Sequence, residues 1–174
     1  MIPMIYIYND YGGTHTTSMA AAYHLKQLPQ SERKLTTEEI LNIPYFNKLT
    51  HADFGKIIFH GDDEDGNQVY TIGRKRNKLL VPALKEFGLL LQEKFHFNGK
   101  IVFSNTSPTV PLSMTFGGFF ARGLRINPLG VPLLVIGAKK CCDNVFRLVE
   151  NTKEIGRTSF NENIIILENE MYKS

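Results

Sequence analysis

Residues 4–28 read MIYIYNDYGGTHTTSMAAAYHLKQL, and the change of character along this run sets the architecture. Met4 to Tyr8 is a nearly continuous apolar segment rich in β-formers, the pattern of a strand buried on both faces. It breaks at Asn9–Asp10, passes Gly12 and Gly13, crosses a hydroxyl-rich tract and turns helical near Thr16. Met19, Ala20, Tyr23 and Leu28 mark an apolar helical stripe, and Pro29 stands just past its end. A strand that enters a helix through a glycine corner is the opening unit of an α/β sheet.

The rest of the chain extends this unit. TTEEILNI, residues 36–43, predicts a short helix with Thr36 or Thr37 as N-cap and glutamates in the first turn. KIIFH (Lys56–His60) and QVYTI (Gln68–Ile72) are strands joined by GDDEDGNQ, whose Asp65–Gly66 pair signals an antiparallel hairpin. From Asn77 a helical period runs through NKLLVPALKEFGLLLQEKF, with Pro82 in its first turn. Asn98–Gly99 turns into the strand KIVFS, Lys100–Ser104. LSMTFGGFFARGL is expected to be helical, VPLLVIG (residues 131–137) a strand, AKKCCDNVFRLVENTKEI a helix and NIIILEN a last strand. The order β-α-β-β-α-β-α-β-α-β predicts a three-layer, Rossmann-like α/β domain over residues 1–174, its sheet mostly parallel with one antiparallel hairpin.

Composition excludes several classes. The 174 residues are 43% hydrophobic and 21% charged, which fits neither disorder nor a fibrous repeat. A net charge of +3 from 20 basic and 17 acidic residues gives no concentrated basic face, so no specific nucleic-acid partner is expected. No apolar run reaches the roughly 18 residues of a membrane span, and MIPMIYIYND lacks the basic segment of a signal peptide. Adjacent Cys141 and Cys142 make no disulfide framework and suit a reducing, cytoplasmic compartment.

The glycine corner falls at the carboxyl end of the first strand, where open α/β sheets bind ligands. Gly12 and Gly13 let a ligand approach the backbone. A helix starting near Thr16 presents unpaired N–H groups and a positive dipole end, and Thr14, Thr16, Thr17 and Ser18 add hydroxyls. The corner therefore suits an anion, phosphate above all, with His15 as candidate general acid or base. Ser104, Asn105 and Thr106 lie at another strand's carboxyl end, and Arg122 and Arg125 follow the Gly117–Gly118 pair on nearby faces; Asn105, Thr106 and Arg122 join the candidate anion site, the alternative being a tightly packed helix with surface arginines. Neither the Walker A spacing nor the dinucleotide fingerprint is present, so no cofactor is specified.

Other signals carry less. Aligning Gly66 with the glycine of a calcium loop puts Gly61 and Ile72 at ligand positions, so no metal site is expected there. His60 and Asp62, past a strand end, are minor site candidates. Cys141 and Arg147 have the Cys-x5-Arg spacing of tyrosine-phosphatase loops, but Val145, Phe146, Leu148 and Val149 continue a buried helix face. GRKRNK, Gly73–Lys78, places four basic residues where they oppose a helix dipole, which fits a solvated loop or an anionic partner.

GGTHTTSMAAAYHL, DEDGNQVYTIGR and MTFGGFFARGL followed by PLGVPLLVIG together resemble a domain of unknown function from spore-forming Gram-positive bacteria. The resemblance spans nearly the whole chain. It places Gly12, Gly13, His15, Gly117, Gly118 and Arg122 at motif positions, and a bacterial cytosol and a link to sporulation are implied by it alone. Where the family has Ser-Arg, this chain has Ala121–Arg122. The leading expectation is a site for a phosphate-bearing or other anionic small molecule, with hydrolysis or group transfer as its chemistry. The competing one is a non-catalytic interaction module, or a homo-oligomer, using aromatics around Tyr45, Phe46 and Phe119–Phe120.

Overall fold

The computed structural model describes residues 4–124, 126–159 and 162–174. The main elements are β1 (Met4–Asp10), α1 (Thr16–His24), α2 (Thr37–Asn42), β2 (Ile58–Asp62), β3 (Gln68–Gly73), α3 (Leu80–Phe95), β4 (Lys100–Asn105), α4 (Leu112–Gly118), α5 (Asn127–Thr158) and β5 (Ile164–Leu167). Five strands form one sheet in the order β2-β3-β1-β4-β5. β1 pairs in parallel with β3 and β4, and β4 with β5; only the β2–β3 hairpin is antiparallel.

The apolar run of β1 takes the central position because both of its faces find a layer to cover them. Met4, Tyr6 and Tyr8 pack with α1 and α5, and Ile5 and Ile7 pack on the other face with Val81 and Leu84 of α3. Every residue of α1 is buried, so its small residues, Ser18 and Ala20 to Ala22, let it sit between the sheet and α5. Of the two threonines expected as N-cap of α2, Thr36 takes the position, and it forms a capping box: Thr36 accepts from the Glu39 N–H, and Glu39 accepts from the Thr36 N–H.

VPLLVIG is not a strand. It is the second and third turn of α5, a helix of 32 residues that includes Pro132 in its interior. An apolar β-branched run beside a proline mimics a strand, but the packing follows a helical period. Gly130, Leu134, Gly137, Cys141, Val145 and Leu148 are all buried at spacings of three and four. The glycines admit α4: a Cβ at Gly117 would lie 2.7 Å from the Leu134 nitrogen, and one at Gly137 would lie 2.7 Å from the Met114 Cβ. The sheet therefore has five strands among the described residues instead of six, and β4 reaches β5 through the helical pair α4–α5. Despite its length α5 is charged, and no helix of the described residues is long and apolar enough to cross a membrane.

From β1 the chain first builds outward to β3 and β2, and later to β4 and β5 on the opposite side. The carboxyl ends of β1 and β4 consequently border a crevice, which is where open α/β sheets place their ligands.

Candidate functional site

Asp10, the last residue of β1, organises the corner. Its carboxylate accepts the backbone N–H groups of Gly12 and Gly13, and the Thr16 hydroxyl donates to its other oxygen at 2.9 Å. The Thr16 hydroxyl also lies 3.0 Å from that of Thr106, which ties the corner to the loop after β4. The amides at the start of the corner thus already hold an anion of the chain's own. Burial pushes the Asp10 carboxyl above the ordinary carboxylate range, against the pull of the Gly13 and Thr16 hydrogen bonds.

Behind Asp10, Arg74 stitches the strand ends together. Its guanidinium donates to the Asn9 side-chain oxygen at 3.0 Å, to Ser107 at 3.2 Å and to the Asn105 side chain at 3.4 Å. Asn105 in turn donates to Glu168 at 2.9 Å. The Thr14 hydroxyl donates to the Tyr45 carbonyl at 2.6 Å, and the Thr17 hydroxyl is buried without a hydrogen-bond partner among the described residues.

In front of Asp10 a cleft of about 670 Å³ opens between the β1–α1 corner, the loop after β4, and α4. Of the residues expected from sequence, Gly12, His15 and Arg122 line it; Gly13, Thr14, Thr16, Thr17, Asn105 and Thr106 are not among its lining residues. Arg125 is outside the described residues. From the basic segment only Arg76 reaches the cleft, while Lys75 stacks over Phe54 with its Nζ 4.6 Å from the ring centroid.

Arg122 comes from an unusual turn. After Gly118 the helix widens into a π-turn over Phe119–Gly123, a feature frequent at functional sites. The Arg122 guanidinium lies 5.7 Å from the Phe54 ring centroid, and its Nη1 donates at 3.5 Å to the Gly12 carbonyl. Nη2 is buried with no hydrogen-bond partner among the described residues. Two glycines make room for this group and its neighbour. A Cβ at Gly12 would stand 3.2 Å from Arg122 Nη1, and one at Gly118 would stand 3.3 Å from His15 Cε1.

His15 faces the same cleft. Its Nε2 lies 3.4 Å from the Asn47 side-chain oxygen, a contact that favours the tautomer with the proton on Nε2 and Nδ1 as acceptor. Burial pushes its imidazole down to about 4; the Asn47 contact opposes this and the Arg122 charge reinforces it. His15 is therefore neutral at pH 7. His60 and Asp62 are not in the cleft; His60 instead lies 2.9 Å from the Thr71 hydroxyl. Among the described residues no group of three or more His, Cys, Asp or Glu side chains is placed to hold a metal ion.

A second polar chain is enclosed in the core. The Tyr8 hydroxyl lies 2.7 Å from His24 Nδ1, and His24 Nε2 lies 3.1 Å from an Asp63 oxygen. It fastens the hairpin tip to α1. Burial pushes His24 and His60, like His15, down to about 4. Between pH 6.5 and 4 the unfolded chain therefore binds protons that the folded chain refuses, so stability falls as the pH falls. His24 alone contributes a loss of about 2 kcal/mol from pH 7 to pH 5. The raised Asp10 carboxyl acts in the opposite direction as the pH falls. Urea unfolding at pH 7 and pH 5 should show this decline; equal midpoints would contradict neutral buried histidines.

A five-stranded, mostly parallel sheet with one antiparallel pair defines the class, a mixed α/β fold, and a cleft lies at the carboxyl ends of its strands. A family model described as a protein of unknown function, DUF3189, matches residues 5–154, and the chain belongs to that family. No curated protein and no solved structure matches the chain.

Proposed function

We propose that this protein binds a small-molecule anion, phosphate-bearing in the first instance, in the cleft at the carboxyl ends of β1 and β4. The observation that carries this reading is the Arg122 guanidinium: Arg122 lines the cleft, and its Nη2 is buried without a hydrogen-bond partner among the described residues. Leaving such a donor desolvated and unpaired costs about 1–3 kcal/mol, and a ligand oxygen would relieve that cost. Arg76 on the rim adds a second positive charge.

The anion contacts differ from those that the glycine corner suggested. Asp10 already holds the Gly12 and Gly13 amides, so the ligand meets Arg122 instead of an open nest of N–H groups. The reaction class we attach to the site is hydrolysis or group transfer, with neutral His15 accepting a proton through Nδ1. The doubly wound, Rossmann-like interpretation belongs to the same proposal, supported by the growth of the sheet to either side of β1. So does a reducing, cytoplasmic setting, supported by two free, buried cysteines.

The test is thermal unfolding of wild type and Arg122→Gln with phosphate, pyrophosphate, nucleotides and sugar phosphates. An anion at about 100 times its dissociation constant should stabilise wild type by about 2.7 kcal/mol, and the variant should lose most of that gain. If no anion shifts wild type, the cleft is not an anion site. The interaction-module reading would then take its place; of its aromatics Tyr45 and Phe119 are exposed but Phe46 is buried in the core, and Leu112 and Phe116 add exposed apolar surface beside Phe119.

A further inference from the structure

The cleft's size and walls say more about the ligand than Arg122 does alone. At about 670 Å³ it falls among sites that enclose organic molecules, and a lone inorganic anion would leave most of it empty. It is lined by the charged Asp10, Arg76 and Arg122 and by the apolar Val110, Met114 and Phe119.

Phe54 is engaged by the protein: Lys75 lies over its ring, Arg122 lies 5.7 Å from its centroid, and the rings of His51 and Tyr11 approach it at 5.7 and 6.1 Å. Tyr11 and Phe119 also line the cleft; Tyr11 meets the Phe54 ring edge-on and Phe119 has its centroid 5.7 Å from that of Phe120, yet 55% of Tyr11 and 56% of Phe119 remain exposed. Two large rings left in water at the edge of one cleft leave apolar area that a ligand can bury, and an aromatic partner adds ring-to-ring attraction beyond that area.

We propose that the ligand is an amphipathic organic anion, with an aromatic body against Phe119 and Tyr11 and its anionic group at Arg122. This inference rests on the anion reading and adds the class of molecule that carries the charge. Gly118 fits the same picture, because any side chain there would crowd His15 at the cleft floor.

Isothermal titration with phosphate, phenyl phosphate and phenol separates the two ideas. Phenyl phosphate should bind at least tenfold more tightly than phosphate, and phenol should bind weakly. Phe119→Ala should narrow the gap between phenyl phosphate and phosphate, and Arg122→Gln should weaken both anions. Phe119 is more than half exposed, so its truncation leaves the core intact. Equal affinity for phosphate and phenyl phosphate would overturn the aromatic ligand and keep the anion site. Phenol binding as tightly as phenyl phosphate, or no binding by either anion, would overturn both.

Discussion

Asp10→Ala is expected to lower stability by about 2–4 kcal/mol, one of the largest effects of any change at the site. Three donors lose their acceptor at once: the N–H groups of Gly12 and Gly13 and the hydroxyl of Thr16. A buried donor left unpaired costs about 1–3 kcal/mol. The loss is tempered because the carboxylate itself is buried unfavourably, as its raised pKa records. The Thr16–Thr106 contact would also slacken, so the loops on two sides of the cleft should loosen together. Chemical denaturation measures the stability, and amide exchange at Gly13 and Thr106 reads the loosening. A variant within 0.5 kcal/mol of wild type, a range normal for surface sites, would mean that Asp10 does not hold the corner.

Gly13→Ala should cost at least as much, by about 3 kcal/mol or more, through the backbone. Gly13 has φ of +70°, where an L side chain costs roughly 1–2 kcal/mol. Here the added Cβ would also sit 2.5 Å from the Gly73 nitrogen and 2.7 Å from its Cα, so the ends of β1 and β3 would have to separate. Gly66→Ala is the control. At φ of +77° with nothing within 4 Å of its Cβ, it should show the conformational cost alone. Comparable losses in the two variants, read by urea unfolding, would show that the β1–β3 end is not packed as described.

Much of this fold is legible in the chain, because its strongest signals are local. The apolar run at Met4–Tyr8, the Asp65–Gly66 hairpin and the Thr36–Glu39 capping box each lie within a few residues and fold as their chemistry dictates. VPLLVIG misleads because a β-branched run and Pro132 imitate a strand; the decisive signal, glycines and apolar residues at helical spacing on both sides, is longer than the run itself.

The site is less legible. Gly12, His15 and Arg122 line the cleft, but Arg74 takes its role from partners far along the chain. Thr16 and Thr106 meet across 90 residues, and no local pattern announces such a contact. A trace of Asp10 was available: an aspartate at a strand end, three residues before a glycine, is placed to accept that glycine's N–H. Read that way, the corner contains its own anion, and the search for the ligand's contact passes to Arg122.

The most direct test of an anion held in this cleft is amide NMR of the wild-type protein titrated with phenyl phosphate. Saturable shifts confined to Gly12, His15, Gly118 and the Phe119–Gly123 turn, with the Asp65–Gly66 hairpin unmoved, are the predicted result. Shifts centred elsewhere, or none at millimolar ligand, would contradict it.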